Sequence, residues 1–123
     1  MNAVSQILFE TKMRGGTPLA IFTRYVAPLG AETEREGSEA VSFWHQCLKD
    51  ASCGPPLVGF CADGLITFVT AHDVNQALSP IWSALLTNEL MPGAWVAEFK
   101  TDGTWCDLLP FPGAMRELPN KIL

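Results

Sequence analysis

The sequence predicts an α+β domain: an antiparallel sheet of about six strands with two helices packed on one face, in the order ββ-α-ββ-α-ββ. Three observations carry this reading. Short β-branched and aromatic runs come in pairs, separated by Gly-Gly or Asp-Gly dipeptides of the hairpin type. Two longer stretches repeat apolar residues at helical spacing. The chain has 123 residues, 48% of them hydrophobic and 17% charged, which suits a single domain over residues 1–123 with a substantial core.

The elements follow in order. From Val4 to Met13, Ile7, Phe9, Thr11 and Met13 alternate as in a strand, although Val4, Ile7 and Leu8 would also suit a helix. Gly15-Gly16 then turns into Leu19 to Val26, a β-branched and aromatic run, and the two segments are expected to pair. Ala31 to Glu39 holds Glu32, Glu34, Glu36 and Glu39 around one Arg35, with Gly30 and Gly37 as breakers, and is expected to be a solvated acidic loop. Ser38 caps a predicted helix whose face is Ala40, Val41, Trp44, Cys47, Leu48 and Ala51, ending before Gly54-Pro55-Pro56. Leu57 to Cys61 and Leu65 to Thr70 flank Ala62-Asp63-Gly64 as a hairpin.

A second helix opens at Asp73, with Gln76 placed for a capping box, and its apolar face is Val74, Ala77, Leu78, Ile81, Trp82 and Leu85. Ser79-Pro80 predicts a kink or a break within it. Trp95 to Thr101 and Thr104 to Leu109 form a third hairpin about Asp102-Gly103. The proline-rich tail from Pro110 to Leu123 is expected to be irregular, with one helical turn at Ala114 to Leu118.

A shift of 39 residues lays Gly54, Phe60, Asp63 and Gly64 onto Gly93, Phe99, Asp102 and Gly103. This echo suggests a duplicated helix-hairpin unit, which would set the two units about a pseudo-twofold axis with a groove between them.

Composition narrows the function. Thirteen acidic against eight basic side chains leave a formal charge of −5, so no basic field exists to attract a phosphate backbone, and nucleic acid is not an expected partner. Between Lys49 and Lys100 there is no lysine or arginine at all. No apolar run reaches membrane-spanning length and the first residues lack a signal-peptide pattern, so the expectation is a cytoplasmic protein away from membranes. Cys47, Cys53, Cys61 and Cys106 are then expected to be reduced thiols, and their spacing lacks the paired knuckles of a structural zinc site.

The common phosphate-binding, dinucleotide-binding, hydrolase and metalloprotease motifs are missing, and neither a cofactor nor a metal is expected. His45 falls on the polar face of the first helix and His72 beside a helix cap, neither with a partner close in sequence. A couple such as Cys53 with His72 would have to be assembled by the fold.

The third hairpin carries the candidate site. A two-residue turn at Asp102-Gly103 sets Lys100 opposite Trp105 and Glu98 opposite Asp107, with Trp95, Ala97, Phe99, Cys106 and Leu108 on the core side. Opposed carboxylates repel unless solvated, protonated or bound to a cation, and an indole beside them attracts a cationic or aromatic ligand through its ring face. Trp95, Glu98, Trp105 and Asp107 are the candidate ligand-binding residues.

The arrangement of helix-hairpin units with acidic and aromatic residues is similar in outline to the small-molecule-binding domains related to gyrase inhibitory protein. Such a resemblance implies a cleft for cationic, often aromatic, ligands, and the extra N-terminal hairpin departs from it. The leading expectation is therefore a non-enzymatic module that binds a small cationic or apolar ligand in an acidic, Trp-lined groove. The alternatives are an interaction subunit that forms a homo-oligomer, such as a homodimer, and a small enzyme using His45, His72, a cysteine or the Glu98/Asp107 pair.

Overall fold

A computed structural model describes Phe9 and residues 13–25, 33–61, 63–99, 104–108 and 121–122. The elements are β1 (Thr17–Arg24), α1 (Thr33–Leu48), β2 (Leu57–Phe60), β3 (Gly64–Ala71), α2 (Val74–Thr87), β4 (Trp95–Phe99), β5 (Trp105–Asp107) and β6 (Lys121–Ile122). The class is α+β, but the sheet is not six strands in three hairpins. Its body is four antiparallel strands in the order β4-β1-β3-β2; the three-residue β5 and the two-residue β6 only extend its edges.

The N-terminal hairpin is the clearest correction. Phe9, Met13 and Arg14 have helical backbone, and Gly15, at φ +74°, turns the chain from there into β1. Without an N-terminal partner strand, β1 sits in the middle of the sheet, paired with β3 on one side and β4 on the other. Its sequence suits that place: Leu19, Ala20 and Ile21 are all fully buried, as expected of a strand covered on both faces. All eight residues of β3 are buried as well.

Alternation along these strands divides the core in two. Leu19, Ile21, Val69, Ala71 and Val96 face both helices, meeting Trp44 and Leu48 from α1 and Ala77, Ile81, Ala84 and Leu85 from α2. On the other face Ala20, Ile66, Phe68, Trp95 and Ala97 form a smaller cluster. There the ring of Phe22 stacks on Trp95, centroids 5.5 Å apart and planes 7° from parallel.

The hairpin β2–β3 forms, with Phe60 paired to Leu65 and the Cys61 N–H donating to the Gly64 carbonyl at 2.9 Å. Gly64 is needed for contact rather than for φ. A Cβ there would run into the Thr23 carbonyl oxygen and the Phe22 ring.

In α2 the Asp73 carboxylate accepts the N–H groups of Asn75 at 2.9 Å and Gln76 at 3.3 Å, a helix N-cap. Pro80 lies inside this helix without dividing it. The C-terminus closes as a Schellman motif: the Leu90 N–H bonds the Leu85 carbonyl and the Glu89 N–H bonds that of Leu86. Glu89 holds the left-handed position at φ +57°, which glycine usually occupies.

The expected pseudo-twofold is not formed. Each helix is followed by an antiparallel pair, but the strand next to β1 is the second of the first pair, β3, and the first of the second pair, β4. Equivalent strands of the two units therefore lie at unequal places. The turn at Asp102-Gly103 and the helical turn at 114–118 fall outside the described residues.

Candidate functional site

The segment expected to be a solvated acidic loop is the opening of α1. The helix starts at Thr33, and its stripe of Glu36, Glu39, Ala40 and Phe43 follows i, i+3, i+4, i+7 spacing. That stripe walls a cavity of about 510 Å3. Thr23 and Leu65, at one end of the central strands, and Asn88 and Leu90, just past α2, line it as well. Trp44, only 1% exposed, belongs at once to the cavity wall and to the core beneath it.

Charge on the rim is mixed. Glu36 and Glu39 are joined by Arg24 and Arg35, and the Arg35 Nε donates to Glu39 Oε1 at 3.1 Å across one helical turn. Both side chains of that pair are about two thirds exposed, so it contributes no more than about 1 kcal/mol. Tyr25 lies nearby, its hydroxyl donating to the Cys61 carbonyl at 2.7 Å. Burial, and then the charges of Cys61, Glu36 and Asp63, push its pKa above the ordinary tyrosine value.

The residues expected to form a site on the third hairpin are placed differently from the pairing that suggested them. Phe99 pairs with Trp105, Glu98 with Cys106, and Ala97 with Asp107. The register is therefore one residue away from the one that sets Glu98 opposite Asp107. Glu98 does not face Asp107; it is half-buried, with Cys106 on one side and Leu19 on the other. Trp95 is 1% exposed and stacked in the second cluster, a core position. The backbone pairing of Trp105 and Asp107 is described, while their side chains are outside the described atoms.

The fold also assembles the Cys53–His72 couple. After α1, Ser52 makes an isolated bridge to Ala71, the Cys53 N–H donates to the Thr70 carbonyl at 2.7 Å, and the His72 N–H donates to that of Ala51 at 3.0 Å. This short lacing lays Cys53 beside the end of β3. Its Sγ stands 3.1 Å from His72 Nδ1 and 3.6 Å from Nε2. From below, Arg14 Nη1 donates to the carbonyls of Cys53 at 3.2 Å and Pro55 at 2.8 Å, tying the helical N-terminal backbone to the same loop.

All four cysteines are free thiols, and Cys47 has its pKa raised by burial. No group of three or more histidine, cysteine, aspartate or glutamate residues able to hold a metal ion occurs among the described residues. No helix among them is long and apolar enough to cross a membrane. His45 is exposed on α1.

No family model, no curated protein and no solved structure matches this chain. The likeness in outline to the gyrase-inhibitory-protein domains therefore assigns nothing, and function has to be argued from the cavity and the side chains.

Proposed function

We propose that the protein is a binding module for a small ligand with an apolar or aromatic body and a cationic group, held in the cavity beside α1. The observation that carries this reading is the cavity itself. Its volume of about 510 Å3 falls within the usual range of small-molecule sites, and a carboxylate pair and two aromatic rings lie along one helix. The apolar body of the ligand rests on Phe43, Leu65 and Leu90. Its cation meets Glu36, or displaces Arg35 from Glu39, which costs little because that exposed pair is weak. Attraction between a cation and an aromatic ring adds about 0.5–2 kcal/mol, enough to offset the weak pair it displaces. On this reading the ligand site lies along α1 and not on the third hairpin, with carboxylates and guanidinium groups both on its rim.

Titration with a cationic aromatic dye such as acridine orange tests this, with tryptophan emission as the signal because Trp44 walls the cavity. Ala40→Phe projects a ring into the same space and is expected to raise Kd by about tenfold or more, equivalent to about 1.4 kcal/mol. Glu98→Gln, on the third hairpin, is expected to leave Kd unchanged. Dye binding that ignores Ala40→Phe and weakens with Glu98→Gln would return the site to the hairpin.

A further inference from the structure

At the opposite end of β1 from the cavity, where Thr17 pairs with Ala71, a second arrangement has the elements of covalent chemistry. We propose that Cys53 and His72 form a thiol nucleophile and its general base, a site that accepts an acyl group from an activated ester or thioester. The proposal is independent of ligand binding at the cavity, because no residue is shared between the two places.

Three features support it. First, the Sγ to Nδ1 distance of 3.1 Å is within reach for direct proton transfer from the thiol to an unprotonated ring nitrogen. Second, both partners are reachable: Cys53 is half-buried and His72 exposed, so an electrophile can approach the sulfur. Third, the couple is held by backbone rather than by flexible side-chain packing. Hydrogen bonds from the N–H groups of Cys53 and His72 fix both residues to the same lacing, and Arg14 clamps the Cys53 carbonyl. The charged groups around it are mixed. The Arg14 guanidinium bonds the carbonyls of Cys53 and Pro55, and the Asp73 carboxylate is engaged in capping α2, which begins two residues after His72.

The step balances without any further reactant. The thiol proton passes to His72 Nδ1 as the sulfur attacks the acyl carbon. The S–C bond forms, the bond from the acyl carbon to the leaving oxygen or sulfur breaks, and the leaving group departs as its anion or takes the proton back from His72. Cys53 is left as a thioester.

The other cysteines provide internal references. Cys106 is exposed on β5, and burial raises the pKa of the Cys47 thiol. Reaction of the full chain with p-nitrophenyl acetate, followed by nitrophenolate release and by peptide mapping, is expected to acetylate Cys53 about tenfold or more faster than Cys106. His72→Gln is expected to bring Cys53 down to the Cys106 rate, with Cys47 and Cys61 as slow as in the parent protein. In urea, the parent's Cys53 advantage is expected to vanish, a measurement that does not depend on any variant folding. Equal rates at Cys53 and Cys106 in the folded protein, an advantage that survives His72→Gln, or one that survives urea would each overturn the assignment.

Discussion

Two acidic regions of this molecule trade the roles that their sequences suggest. The glutamate-rich stretch at residues 32–39 looks like a solvated connection, yet from Thr33 onward it is helix, and Glu36 and Glu39 wall a cavity. The third hairpin looks like a carboxylate and tryptophan site, yet its register separates Glu98 from Asp107 and Trp95 is core. What separates the two is the order of structure that decides each. A helix face depends on local spacing and survives an error in where the helix begins. A cross-strand pair depends on the length of a connection, and one extra residue there moves every neighbour.

The comparison breaks most directly at Trp95. As a core residue stacked on Phe22 and 1% exposed, it should cost about 3–5 kcal/mol when replaced by alanine. Urea denaturation of Trp95→Ala reads this as a lower midpoint at unchanged slope. A loss below about 1 kcal/mol would mean that the indole faces solvent or a ligand, and the hairpin would again be the better site.

Much of the fold was legible because its signals are local. The apolar stripes through Trp44 and Leu48 and through Ala77, Ile81 and Leu85 lie where the periodicity puts them, on two helices that share one core. The Asp73 cap and the β2–β3 hairpin follow from residue type and spacing. Three things were not legible. The N-terminal segment has both a two-residue and a helical period, and only the helical backbone at Phe9, Met13 and Arg14 decides between them. The start of α1 was hidden by Gly37, which suggests a break although it lies buried inside the helix. Cys53 and His72 are 19 residues apart, and what joins them is the bridge from Ser52 to Ala71, a tertiary contact with no sequence signature.

A smaller effect tests the central strands on which both regions are built. Thr67, fully buried in β3 on the face toward the helices, has a hydroxyl with no hydrogen-bond partner among the described residues. Valine has nearly the same shape without the polar atom, so Thr67→Val should stabilise the protein by about 1–2 kcal/mol. The expected observation is a higher urea midpoint, with dye binding at the cavity unchanged because Thr67 is not among the lining residues. A destabilised variant would show that the hydroxyl is satisfied, and the packing beneath the cavity would then need a different account.

The smallest effect lies at the cavity rim, and it separates strain from function there. Glu89 adopts φ +57° at the end of α2, between Asn88 and Leu90, which both line the cavity. A side chain in that conformation costs about 1 kcal/mol, and glycine removes the penalty while giving some of it back as added freedom in the unfolded chain. Glu89→Gly should therefore raise stability by about 0.5–1 kcal/mol, read as a shift in thermal midpoint of a few degrees. If the strained residue serves only to close the helix, the Kd of the dye stays where it was. Stability that rises while binding weakens by about tenfold would mean that the left-handed turn holds Asn88 and Leu90 in place for the ligand. That outcome would tie the cavity to α2 as firmly as its acidic stripe ties it to α1.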